Sequence, residues 1–184
     1  LERIGVSAMI IEDKKGLKRN SLFGNQSGVQ QDTISDFSKK IKEISKNRKS
    51  KDFLVIARIE SLILNRGMND ACKRADAYSK AGADLIMIHS KQKKPNEIFE
   101  FAKRFKKSKY YVPLVSVPTS YSKTYEKDLI KNGFKIVIYA NHLLRASYYA
   151  MNKTLDSILK NGRSFESEKN IEKVSNLLKY SEIK

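Results

Sequence analysis

The sequence predicts an α/β fold: a (β/α)8 barrel of which about five C-terminal βα units are present, followed by C-terminal helices. Three features lead to it. Five short apolar runs, SAMIIE, FLVIARIE, DLIMIHS, PLVSVP and KIVIYAN, recur along the chain. Each is nearly continuous, as a strand covered on both faces should be. Helical periodicity separates them, and such alternation requires parallel crossovers. Polar residues then gather at the C-terminal ends of the runs: Glu12-Asp13, Arg58 and Glu60, His89-Ser90-Lys91, Thr119-Ser120, and Asn141-His142. A doubly wound sheet fits the alternation, but no strand runs into a G-x-G-x-x-G turn and there is no P-loop. In a barrel the C-terminal strand ends line one pocket, which accounts for the polar clustering.

Each helix has its own pattern. Ile34, Phe37, Ile41 and Ile44 follow the first strand at helix spacing. Met68, Ala71, Cys72, Ala75 and Tyr78 follow the second, and Gly82 stands where a helix-ending glycine belongs. Pro95 opens a third helix, with Ile98, Phe101, Ala102 and Phe105 on one face. A short fourth carries Tyr125, Leu129 and Ile130 and stops before Gly133. The fifth runs from about Leu143 to Leu159 and ends before Gly162. A last amphipathic stretch carries Ile171, Val174, Leu177 and Leu178. Residues 1–162 therefore read as a partial barrel and 163–184 as a C-terminal helical segment. A closed barrel takes eight units and roughly 250 residues, so about three more units are expected before Leu1. Without them the outer strands present open edges, and the piece is expected to fold poorly alone.

Composition narrows the class. With 40% hydrophobic and 31% charged residues the chain suits a soluble globular domain. No apolar run approaches the roughly 20 residues that span a bilayer, and no segment reads as a signal peptide. A single cysteine, Cys72, excludes an internal disulfide and fits a reducing, cytoplasmic setting. The net charge of +17 raises a nucleic-acid reading. Yet the cations are spread through KKIKEISKNRKSK, KQKKP and KRFKKSK, with Glu or Ser among them and no aromatic interleaving. They read as a solvated basic surface, with a nucleic-acid module as the competing class.

Single residues carry the chemistry. Arg58 lies within an apolar strand and needs an anionic partner, which could be Glu60, Glu12, or a substrate carboxylate or phosphoryl group. His89 ends LIMIH, where it is either a satisfied core group or a ligand-facing one. Glu12 closes the first strand, a position that suits contact with a metal-bound water. His142, beside Asn141 at a helix start, reads as a cap or support. Cys72 reads as a core packer.

The segments EDKKGLKRNSL, VARIESLI, GMNDACKRADAYSKAGAD, IMIHSK, VPTSY and IYANHLLRAS come in an order that resembles the phosphoenolpyruvate mutase family of the isocitrate lyase superfamily. The resemblance covers nearly the whole chain and corresponds to the family's C-terminal two-thirds. It implies a TIM-type barrel and interconversion of phosphoenolpyruvate and phosphonopyruvate, the entry to phosphonate biosynthesis. The mutase signature, EDK followed after five residues by NS, is met by Glu12-Asp13-Lys14 and Asn20-Ser21. Isocitrate and methylisocitrate lyases carry a K-K/R-C-G-H segment that is missing here. Phosphonopyruvate hydrolases typically have Thr where Asn20 stands, so Asn20 favours the mutase and the hydrolase remains the alternative. Carried over by position, Arg58 and His89 hold the phosphoryl group, and Asn20 orients it from a lid at 13–28. Ser21 and Lys18 add substrate contacts. Glu12 reaches Mg2+ through water, with direct metal ligands expected in the preceding units. The resemblance also implies a homo-oligomer, a dimer of dimers in which the stretch after Gly162 is exchanged, and an isolated fragment without activity.

Overall fold

All five apolar runs become strands. The computed structural model describes residues 1–16, 21, 26 and 28–181. In chain order the elements are β1 (Ala8–Glu12), α1 (Ile34–Asn47), β2 (Leu54–Ile59), α2 (Met68–Lys80), β3 (Leu85–Ile88), α3 (Asn96–Phe105), β4 (Leu114–Ser116), α4 (Glu126–Lys131), β5 (Phe134–Val137), α5 (His142–Asn161) and α6 (Val174–Ser181). The chain divides into two compact units, Leu1–Tyr139 and Ala140–Lys184. That division falls before α5, whereas the apolar pattern placed the boundary at 162.

In the first unit the strands form one parallel sheet in the order β1-β2-β3-β4-β5. A doubly wound sheet would reverse direction at a switch point. This one never does, so its helices all cover the same face, as in a β/α barrel. The buried set on that face joins Val55, Ala57, Ile59, Ile86 and Ile88 of the strands to residues of α1 through α4. Phe37 and Tyr78 meet there with ring centroids 4.7 Å apart. Phe101, fully buried at the centre of α3, would cost about 3–5 kcal/mol if cut to Ala.

The opposite face carries the alternate residues, Ile56, Leu85, Met87 and Val115, as a smaller cluster. Glu12, Arg58 and His89 continue these same alternations beyond Ile10, Ile56 and Met87. Strand parity alone therefore sends them to one side of the sheet.

The helices follow their capping chemistry. Thr33 caps α1 by accepting from Asp36 N–H at 3.1 Å. Gly82 ends α2 at φ 109°, and a Cβ there would meet Ser45 Oγ at 2.6 Å, so only glycine fits. α4 is only six residues long and buries Leu129 alone; Tyr125 is its N-cap and Ile130 stays exposed. So short a helix offers one inward position, fewer than the apolar pattern suggested. In the second unit α5 buries no residue, and Leu143, Leu144 and Leu159 are 83%, 72% and 82% exposed. Val174, Leu177 and Leu178 of α6 are also exposed.

Candidate active site

The register places the polar residues side by side. Glu12 on β1 pairs with Arg58 on β2, and Ile59 pairs with Ile88, so Glu60 and His89 leave their strands at the same level. Arg58 and Glu60 are two residues apart, which puts their side chains on one side. Arg58 Nε donates to Glu60 Oε1 at 2.6 Å and stands 3.4 Å from Glu12 Oε2. Its Nη2 lies 2.9 Å from Ser21 Oγ and 2.8 Å from His89 Nδ1. The half-buried arginine thus has both intramolecular partners that the sequence allowed.

Glu60 is the hub of this cluster and is fully buried. Its Oε2 accepts from Ser21 Oγ at 2.6 Å and pairs with Lys14 Nζ at 3.0 Å. Lys14 also donates to Ser21 Oγ at 2.7 Å. Ser21 therefore donates once, to Glu60, and accepts twice, from Lys14 and Arg58, which is the full capacity of a hydroxyl. Expected to touch substrate, Ser21 here spends all its hydrogen bonds on the protein. Burial raises the Glu60 carboxyl, but the Arg58 charge and the hydrogen bonds from the Ser21 hydroxyl and Arg58 Nε outweigh it. They hold Glu60 well below the usual carboxylate range.

A second buried cluster abuts the first, and its partners were not legible as a group in the sequence. Asp13 accepts from the Glu60 backbone N–H at 3.0 Å, and from Tyr78 Oη, Gln31 Nε2 and Arg74 Nη1 at 2.8, 2.9 and 3.2 Å. Arg74 Nε donates to Asp70 at 2.8 Å, and Ser61 Oγ donates to the same Asp70 oxygen at 2.7 Å. Burial pushes the Asp13 carboxyl above its ordinary value, although each of its donors pulls it down. Burial and the nearby Asp13 push the Tyr78 phenol up. The available signal was the spacing Asp70, Arg74, Tyr78, a polar row every four residues beside the apolar face of α2.

The same cluster ties down the roots of the loop that leaves β1. Lys14 and Gln31 form an antiparallel bridge, Lys15 N–H donates to Gln30 O at 2.7 Å, and Asp32 N–H donates to Asp13 O at 2.7 Å. Lys18 and Asn20, expected to face the phosphoryl group, lie outside the described residues. Ser90 is turned to Glu97. His142 is the first residue of α5, and Asn141 caps that helix through its backbone carbonyl, which accepts from Arg145 N–H at 3.0 Å.

The strand-end cluster couples one arginine and one lysine to two carboxylates, with a histidine against the arginine. Such an array can bind and orient an oxyanion. Among the described residues, no three His, Cys, Asp or Glu side chains gather as a metal-ligand set. Glu12 alone faces that task, so these residues do not by themselves fit a magnesium site. No helix of the described residues is long and apolar enough to cross a membrane.

A family profile described as phosphoenolpyruvate phosphomutase matches residues 1–159. The chain belongs to this family. It is 42% identical to phosphonopyruvate hydrolase from Variovorax sp. (strain Pal2), a match over 88% of this chain and 54% of that protein. It is 37% identical to phosphoenolpyruvate phosphomutase from Tetrahymena pyriformis, over 97% of this chain and 58% of that one. Among solved structures, phosphoenolpyruvate phosphomutase from Streptomyces platensis subsp. rosaceus superposes with a TM-score of 0.90 at 35% identity. That match covers 97% of this chain and 60% of the other. A phosphonopyruvate hydrolase complex with oxalate and Mg2+ superposes with a TM-score of 0.85 at 36% identity, covering 97% and 59%. This family member thus spans little more than half the length of its relatives, which include both mutases and a hydrolase.

Proposed function

We propose that this chain carries the phosphoryl-binding part of an active site that interconverts phosphoenolpyruvate and phosphonopyruvate. One observation carries the reading: Arg58, His89 and Glu12 converge at the C-terminal ends of three adjacent parallel strands. In this reading Arg58 and His89 hold the phosphoryl group. Asn20, with Lys18, acts on that group from the 13–28 loop, which serves as a lid. The P–O bond of phosphoenolpyruvate breaks and the phosphoryl group is captured by carbon three of the pyruvate enolate, forming the P–C bond. Transfer through a loose, metaphosphate-like state asks the protein mainly for position and compensating charge. Arg58 supplies both, because its charge and its N–H groups stay in one plane. The magnesium complex of a related hydrolase supports a magnesium-dependent whole protein, in which Glu12 reaches the ion through water.

Hydrolysis of phosphonopyruvate is the second reading, favoured by the 42% identity to a hydrolase; Asn20 favours the mutase. Incubating the whole protein with phosphonopyruvate separates them. Phosphoenolpyruvate as product supports the mutase, pyruvate plus phosphate the hydrolase, and no consumption with magnesium present sinks both.

Assembly belongs to the same proposal. The exposed leucines of α5 and the exposed apolar residues of α6 suit a subunit contact, with 163–184 exchanged in a dimer of dimers. A monomeric mass by light scattering would rule this out.

A further inference from the structure

The structure assigns Glu60 a positioning role: it holds Arg58 by Nε so that Nη2 lies against His89 Nδ1, which fixes His89 as a neutral ring protonated on Nε2. The inference rests on reading this cluster as a phosphoryl-transfer site, and it names the chemical form in which His89 meets the phosphoryl group.

A guanidinium can only donate hydrogen bonds. Its Nη2 lies 2.8 Å from His89 Nδ1, so Nδ1 must present a lone pair. A rival contact exists, because Nδ1 is also 3.4 Å from Glu60 Oε1 and could serve it only if protonated. The two demands are incompatible. The shorter contact, from a charged donor, prevails over one near the limit of hydrogen bonding. With Nδ1 committed to accepting, the ring proton sits on Nε2, which makes no hydrogen bond among the described residues. His89 therefore offers a ligand an N–H donor. It holds a phosphoryl oxygen and is not the group that removes a proton.

Glu60 is what makes the arrangement persist. Arg58 has a long, flexible stem, and a single contact at Nη2 would leave its plane free to turn. The 2.6 Å bond at Nε sets that plane, and Ser21 at 2.9 Å on Nη2 reinforces it. Glu60 is held in turn by Lys14, by Ser21 and, through its backbone N–H, by Asp13.

Long-range 1H–15N spectra of the whole protein at neutral pH read the tautomer directly, with His89→Gln assigning the signal. We expect one proton, on Nε2. A proton on Nδ1, or on both nitrogens, overturns the inference, even in a protein that turns over neither phosphonopyruvate nor phosphoenolpyruvate. Loss of turnover with the Nε2 proton in place would instead count against the proposed reaction alone. In folded Glu60→Gln, we expect a mixture of tautomers and a kcat/KM lower on the order of 100-fold. An unchanged tautomer in that variant overturns the positioning role. Should Glu60→Gln fail to fold, Glu60→Asp, which keeps the charge but draws it back from Arg58 Nε, takes its place with the same expected mixture of tautomers and the same overturning result.

Discussion

Glu60 and Asp13 both carry fully buried carboxylates, and the Glu60 backbone N–H donates to Asp13, yet their surroundings push the two in opposite directions. Glu60 faces two cations and a hydroxyl, and is held low. Asp13 faces one arginine, a phenol, an amide and a backbone N–H, and burial wins. The contrast follows the division of labour in the site. Asp13 clamps the ends of β1 and β2 and the roots of the loop with groups that never need to let go. Glu60 contacts Arg58 directly and so orders the groups proposed to handle substrate.

The largest test of this contrast is Arg74→Ala. It leaves the Asp13 charge without its cation and should cost about 3–5 kcal/mol in chemical denaturation of the whole protein. A loss under about 1 kcal/mol would mean that Asp13 takes up a proton and the clamp does not depend on the ion pair. Next comes Arg58→Ala, expected to lower kcat/KM for phosphonopyruvate between about 100- and 1000-fold. Its effect should show in turnover; a variant as active as wild type would remove Arg58 from the proposed site. Tyr78→Phe deletes one of four donors to Asp13 and should cost about 1–2 kcal/mol of stability.

The subtlest test is the sign of the pH dependence. Glu60, held low, contributes stability that is present above the ordinary carboxylate range and lost as pH falls toward its folded value. Asp13, raised, works the other way: the folded state binds its proton more tightly, so its contribution declines as pH rises through its folded value. Glu60→Gln should therefore flatten the acid limb of the stability curve, and Asp13→Asn should steepen it. Denaturant midpoints measured across the acid range check both signs. Changes of the same sign in the two variants would erase the contrast.

Local periodicity in the sequence settled the strands and the four sheet-covering helices; the side of the sheet on which Glu12, Arg58 and His89 fall follows from strand alternation once the strands are placed. A strand's alternation is legible from the chain alone. The sequence also narrowed the intramolecular partners of Arg58 to Glu60 and Glu12, because an arginine within an apolar strand needs a carboxylate. That Glu60 would be the hub came from tertiary structure, since Lys14 and Ser21 reach it from the loop after β1, far from it in the chain, while Arg58 reaches it from β2. The Asp13 cluster was hidden for the same reason: Arg74 and Tyr78 sit on a helix whose apolar pattern conceals how many buried hydrogen bonds it makes. Periodicity reports which face of an element is covered. It does not report which buried polar groups find one another, because that depends on distances between elements far apart in the chain.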